Sequence, residues 1–235
     1  MKVLEQYVET MGDINGEEIL WRIEAAARNC YKSEGANAEK SEAKRDALIR
    51  HAVRRGHTSV LEHGSISFRV VSNRGVSHEW VRHRVGWSYS QESTRYCNYG
   101  HGSSEITVIW PWFLGGFAGE EALFDLVAEH PNEVAKMKVW VEAMRFAEDS
   151  YLKLLALGCK PEEARDVLPN GLKTEIVCTA NIVSLRHFFK LRCAKAAHPQ
   201  IRSLAIALLG HLCETSLKIL FEDQYEQFIT KGEEA

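Results

Sequence analysis

The sequence predicts one α+β domain with a mostly antiparallel central sheet flanked by helices and a helix-rich C-terminal half. Three observations carry this expectation. Strictly alternating stretches, above all Ser65-Ile66-Ser67-Phe68-Arg69-Val70, stand beside long segments with helical apolar spacing. The 235 residues hold no internal repeat, low-complexity tract or Pro/Gly-rich linker, so a single domain over 1–235 is expected. No glycine-rich loop of the GxGxxG or GxxxxGK type occurs, so a doubly wound nucleotide fold is not indicated.

In chain order, residues 3–9 alternate weakly and predict a first strand. Residues 17–29 are rich in helix formers and put Ile19, Leu20, Ile23, Ala26 and Ala27 on one face. Residues 32–40 are polar and read as a loop. A second helix is expected over 41–55, capped by Ser41, stopped by Gly56, and turning Ala47, Leu48, His51 and Ala52 inward. The strand at 65–70 buries Ile66, Phe68 and Val70. Asn73-Arg74-Gly75 reads as a turn, followed by a short helix over about 76–84 and a loop from 85 to about 94. Residues 105–110 predict another strand. Residues 132–157 form one long amphipathic helix ended by Gly158, and Lys160-Pro161 opens the next with proline at its favoured first position. Leu168-Pro169-Asn170-Gly171 breaks the chain. Two further helices are expected over about 173–191 and 199–228, with 230–235 as a frayed tail.

Composition bounds the function. Apolar residues at 45% and charged residues at 26% allow a core of ordinary globular size. A net charge of −3 argues against a general nucleic-acid binder, so any nucleotide site must be a local basic pocket. Six scattered cysteines with no Cys-x-x-Cys pair point to reduced thiols in a cytoplasmic protein. There is no signal-peptide h-region and no apolar run of 18 residues, so no membrane partner is expected.

The most informative stretch runs from Arg82 to Tyr96. It gathers four potential cations (Arg82, His83, Arg84, Arg95), three rings (Trp87, Tyr89, Tyr96) and four hydroxyls (Ser88, Ser90, Ser93, Thr94). Arginine binds phosphate through a planar fork, and aromatic rings offer flat faces, so the combination suits an anionic, planar ligand such as a nucleotide. The ordinary alternative is a basic helix end running into a polar loop. Neighbours on a helix splay by about 100°, so Arg82, His83 and Arg84 cannot serve one small ligand from mid-helix. At a helix end they can reach different ligands or different chains. His57, Glu62 and His63 lack zinc-site spacing, and no metal is expected. No Gly-x-Ser-x-Gly elbow and no cysteine beside an evident activating base occurs, so a side-chain nucleophile has no support.

Four ordered motifs resemble the flavin-dependent thymidylate synthases and span about residues 20–205. They are Arg82-His83-Arg84, eight residues, then Ser93-Thr94-Arg95-Tyr96; Gly56-His57-x-Ser59-x-x-Glu62-His63; Ala164-Arg165-x-Val167-Leu168-Pro169; and Asn181-x-x-Ser184-Leu185-x-x-Phe188-x-x-Leu191-Arg192. The resemblance implies methylation of dUMP to dTMP, with methylenetetrahydrofolate supplying the carbon and NADPH-reduced FAD the hydride, without a cysteine nucleophile. It implies a homotetramer whose sites are shared between chains. Carried over by position, dUMP contacts fall to Glu79, Arg82, Gln91, Glu92, Ser93, Thr94, Arg95, Arg165 and Arg192. FAD contacts fall to Ser59, Glu62, Arg82, His83, Arg84, Gln91, Asn181 and His187. Arg192 and His57 take catalytic positions, Arg192 against the uracil. A cation about 4 Å from a developing anion gains roughly 4 kcal/mol at an effective dielectric near 20, enough to favour ionisation of the uracil.

This sequence departs from the family pattern twice. The spacer after Arg84 is eight residues rather than the commoner seven, which leaves open which of Gln91 and Glu92 makes each contact. Ala196 stands where many relatives have histidine, with His198 two residues on. Two other classes compete. A nucleotide-binding module leaves Arg165 and Arg192 unexplained, and a metal hydrolase using His51, His57, His63 and His83 fails on ligand spacing.

Overall fold

The computed structural model describes residues 1–31, 41–100, 105–115 and 131–232. The loop expected over 32–40 and the last three residues of the expected tail lie outside the described residues. The fold is α+β. A four-stranded antiparallel sheet runs in the order β2-β3-β6-β4, from Tyr7–Thr10, Ser65–Asn73, Lys173–Asn181 and Trp87–Gln91. A separate parallel pair joins β1 (Lys2–Leu4) to β5 (Thr107–Ile109), with Lys2 opposite Thr107. The weak alternation over 3–9 is thus two strands rather than one. The chain leaves one sheet at Glu5 and Gln6 and enters the other at Tyr7.

The chain divides into two compact units, and the division falls inside the strands. Met1–Tyr7, Val70–Trp80 and Ser90–Ile176 form the first. It holds α4 (Arg74–Trp80), α5 (Pro131–Ala156) and the four-residue α6 (Pro161–Ala164). Its core gathers Ile106, Tyr151, Ala164 and Leu172. The long helix α5 appears where its spacing predicts, and Gly158 follows it with φ 94°, a backbone only glycine adopts without strain.

The second unit comprises Val8–Arg69, Val81–Tyr89 and Val177–Ala235. It holds α1 (Gly16–Tyr31), α2 (Glu42–Arg55), α3 (Thr58–Leu61), α7 (Ile182–Arg192), α8 (Pro199–Cys213) and α9 (Glu222–Tyr225). Ser41 caps α2 by accepting from Lys44 N, and Gly56 closes it at φ 68°, both as expected. The inward face differs. Ile49 and Ala52 are buried, whereas Ala47 and His51 are exposed. A basic helix carries few apolar groups, and the β-branched Ile49 wins the inward position.

Three further expectations are corrected. Asn73 ends β3, and its Oδ1 accepts from Val76 N at 2.8 Å, so α4 starts directly from the strand with no intervening turn. That helix stops at Trp80, which leaves Arg82-His83-Arg84 beyond its end. The expected loop after it contains β4, where Trp87, Tyr89 and Gln91 alternate with exposed Ser88 and Ser90.

The largest misreading is residues 173–181, expected as helix and observed as β6. Thr174, Ile176, Cys178 and Ala180 are buried while their neighbours are half-buried. Four β-branched residues in nine, two on each face, together with the period-two burial outweigh the charged helix formers. The helix expected over 199–228 ends at Cys213 as α8. Thr215 then accepts from Leu217 N and opens a separate 3-10 turn over Ser216–Leu220.

Candidate functional site

In the second unit a cavity of about 570 Å³ is lined by Arg82, His83, Arg84, Val85, Trp87, Val183, Ser184, His187, Leu191 and Arg192. Two segments build it. The chain after α4 contributes the Arg-His-Arg triplet, and one face of α7 contributes Val183, His187, Leu191 and Arg192 at helical spacing. Asn181 fixes where that helix begins, because its Oδ1 accepts from Ser184 N at 2.8 Å. Ser184 in turn donates to Val85 O at 2.7 Å, and Asn181 N donates to Gly86 O at 3.1 Å. These bonds tie the helix start to the turn at Val85 and Gly86.

Gly86 sits at φ 71°, and a Cβ there would run into Ser184 Oγ and Asn181 Nδ2. The irregular point of the eight-residue spacer therefore falls at this glycine.

Arg192 Nε donates to His83 Nε2 at 3.0 Å. The accepting nitrogen carries no proton, so His83 is neutral with its proton on Nδ1. Burial, then the charges of Arg192 and His187, push the His83 pKa down to about 4. Tyr89 donates its hydroxyl to His83 O, and the same tyrosine stacks on Trp87 with centroids 5.7 Å apart. Phe188 meets the His83 ring edge-on at 5.0 Å. The imidazole is held from its backbone and from its faces while it aims one lone pair at a guanidinium. His187 is exposed, with its ring 6.2 Å from that of His83.

The first unit carries the other cations. Thr94 is buried at 8% exposure, and Arg165 Nη1 stands 3.4 Å from its Oγ1. Arg95 is exposed, and its Nε lies 2.6 Å from Glu162 Oε2. Ser93 opens the turn that holds them, since Cys97 N donates to Ser93 O and Arg95 N to Ser93 Oγ. Gln91 is turned inward, with Nε2 donating to Ser77 Oγ and Thr174 Oγ1, both at 3.1 Å. Glu92 accepts from Tyr99 Oη at 2.8 Å and faces Lys173 Nζ at 3.2 Å. Burial and then Glu92 raise the Tyr99 pKa, so the phenol stays a donor. Both residues that sequence reasoning left open are thus engaged inside the protein. Glu79 is half-buried in the last turn of α4.

A second cavity in the second unit, about 340 Å³, is lined by Cys30, His51, His57 and Ser59 among others. His57 precedes α3, Ser59 lies within it and Glu62 follows it. The His51 and His57 rings meet edge-on at 6.1 Å. The predicted FAD positions of that unit therefore fall beside two cavities of one chain: Ser59 on this one, and Arg82, His83, Arg84 and His187 on the larger. Among the described residues no three His, Cys, Asp or Glu side chains gather as a metal site.

Sequence reasoning singled out the rings of Trp87 and Tyr89 and placed Leu191 in a motif, but missed Val183, which walls the larger cavity with Trp87 and Leu191, the hold of Tyr89 on His83, and Glu162, which answers Arg95. The period-two alternation of Trp87, Tyr89 and Gln91 was the available signal that Trp87 and Tyr89 share a face. Glu162 had none, because its partner lies 67 residues away.

Arginines set on turns and helix ends beside aromatic walls define a protein that holds anionic, planar ligands. Comparison with known proteins agrees. Residues 17–216 match the family described as thymidylate synthase complementing protein. A flavin-dependent thymidylate synthase from Geobacter sulfurreducens is 34% identical over 192 residues, covering 80% of this chain and 74% of that protein. One from Mycobacterium sp. (strain JLS) is 36% identical over 194 residues, covering 81% and 74%. The chain belongs to the flavin-dependent thymidylate synthase family and is an enzyme. Its fold matches the crystal structure of the UMP/dUMP methylase PolB from Streptomyces cacaoi bound with 5-Br dUMP. The TM-score is 0.75 over 97% of this chain and 98% of that one, at 21% identity.

Proposed function

We propose that the chain methylates dUMP at C5 to give dTMP, with methylenetetrahydrofolate as carbon donor, FAD as cofactor and NADPH as reductant. The carrying observation is the cavity in which Arg192 leans on a neutral His83. The residues present suit a flavin. Arg82 and Arg84 offer forks for a diphosphate, and Val85, Trp87, Val183 and Leu191 offer an apolar wall for a planar ring. The cavity also falls within the usual range of roughly 300–1,000 Å³ for ligand sites. In this reading Arg82, His83, Arg84, Asn181 and His187 hold FAD from one side, and Ser59, Glu62 and Gln91 complete its set. When bound and reduced, the flavin supplies the hydride.

The chain's own residues do the rest. Ser93, Thr94, Arg95 and Arg165 hold the nucleotide phosphate, with Glu79, Arg82, Gln91 and Glu92 completing the dUMP set. Arg192 keeps its charge toward the uracil, because its neighbour His83 is neutral and does not compete as a cation. A preorganised cation stabilises charge on the pyrimidine without a thiol. Burial pushes Cys178, Cys193 and Cys213 up to about 12, which keeps those three thiols protonated and unsuited to act as nucleophiles. His57 belongs to the smaller cavity and takes the folate side.

Residues 1–235 serve as one domain, and four copies assemble so that sites draw on several chains. A cytoplasmic setting without nucleic-acid or membrane partners fits this chemistry. Among the described residues no helix is long and apolar enough to cross a membrane.

The test is the visible spectrum of the purified protein, followed by anaerobic NADPH with and without dUMP. Flavin bands that bleach, and bleach faster with dUMP, are the expected result. A protein without flavin bands that takes up no added FAD overturns the reading and leaves a nucleotide-binding module in its place.

A further inference from the structure

We propose that Glu162 is a built-in stand-in for the ligand phosphate: its carboxylate occupies Arg95 until a phosphate-bearing ligand displaces it. The proposal rests on the reading of Arg95 and Arg165 as phosphate-binding residues. Four observations carry it. Glu162 Oε2 lies 2.6 Å from Arg95 Nε, the distance of a charge-assisted bond. Lys160 and Arg165 are near enough that, after Arg95, they too hold the Glu162 carboxyl below its ordinary range. One carboxylate therefore sits among three cations.

Third, Glu162 is not needed to hold its own helix. The capping role at α6 falls to Glu163, whose Oε2 accepts from Lys160 N at 2.7 Å. Fourth, the pair is reachable, with the Arg95 side chain 57% exposed and that of Glu162 35% exposed. A carboxylate and a phosphate oxygen pair accept from the same guanidinium fork. A phosphate monoester brings about −1.5 to −2 charges against the single charge of the carboxylate, so it wins the exchange, whereas a neutral nucleoside cannot. The carboxylate thus keeps Arg95 answered until the phosphate arrives and subtracts its own displacement cost from the gain the phosphate brings, without touching the affinity for a neutral nucleoside.

The test titrates dUMP and deoxyuridine calorimetrically into the wild-type protein, Glu162→Gln and Arg95→Ala, with folding of each variant checked by circular dichroism. Glu162→Gln is expected to bind dUMP roughly two- to fivefold more tightly, the range of an exposed ion pair. Its affinity for deoxyuridine stays at the wild-type value, and Arg95→Ala binds dUMP more weakly than either. A Glu162→Gln protein that binds dUMP no more tightly, or that gains equally for deoxyuridine, overturns the proposal. Wild-type protein that binds dUMP while Glu162→Gln shows no gain refutes the stand-in alone. Wild-type protein that binds no dUMP refutes the phosphate reading beneath it as well.

Discussion

Arg95 and Arg192 meet opposite kinds of partner. Arg95 is solvent-reachable and answered by a carboxylate, whereas Arg192 donates to an imidazole that burial keeps neutral. The difference fits the roles proposed for the two. A surface guanidinium that trades one anion for another loses little by having a carboxylate in place, since exposed ion pairs contribute at most about 1 kcal/mol. A cation that is to stabilise charge on a ligand would be offset by a carboxylate. A neutral acceptor such as His83 can orient a guanidinium without cancelling its charge.

The largest expected effect tests the cavity side of this contrast. Arg192→Ala should lower dTMP formation by about 10²–10³-fold while flavin stays bound, as for loss of one preorganised donor. Turnover near the wild-type value with the flavin in place would end that role. His83 offers a stability test. Its pKa falls from 6.5 in the unfolded chain to about 4 in the fold. The unfolded state therefore binds the extra proton in that window. The stability this group contributes is full above about 6.5 and is removed as the pH falls through 4, a loss of about 3 kcal/mol. Urea unfolding at several pH values should show this slope in the wild type and not in His83→Phe. Parallel profiles for the two proteins would contradict a buried neutral imidazole.

Arg165→Ala probes the anion side. Loss of a charge-assisted bond should weaken dUMP binding by about 10- to 100-fold in calorimetry, and an unchanged affinity would remove Arg165 from the site. Gly86→Ala forces a side chain onto a left-handed backbone and against Ser184 and Asn181. The unfolding free energy should drop by about 1–2 kcal/mol from the backbone alone, read as a lower midpoint of urea unfolding. A midpoint equal to wild type would mean the turn relaxes at no cost.

Most of the architecture was legible in residue order. The α+β class, the long helix α5, the Ser41 and Gly56 boundaries of α2 and the buried face of β3 follow from periodicity and capping, which are local. Residues 173–181 did not, because charged helix formers mask a period of two until the neighbouring strands bury Thr174, Ile176 and Cys178. The helix expected through Arg84 failed for a related reason. It starts at Arg74, two residues earlier than expected, because Asn73 caps it straight from the strand, and it ends at Trp80.

For the candidate site, motif order pointed to Arg82, His83, Arg84, His187 and Arg192, and the structure brings these five to one cavity. The engagement of Gln91 and Glu92 was invisible in sequence, since Ser77, Thr174, Tyr99 and Lys173 are distant along the chain. The pairing of His83 with Arg192 spans 109 residues and was equally hidden.

The turn at Gly86 bears on how relatives with a shorter spacer can be compared with this chain. Inserting one residue within β4 would swap the two faces of everything after it, sending Trp87 and Tyr89 outward and Ser88 and Ser90 in. Taken up by a glycine just before the strand, the same insertion leaves the strand's register intact. An alignment with a shorter-spacer relative that sets its gap inside this strand would pair residues of this chain that face the wall with ones that face solvent.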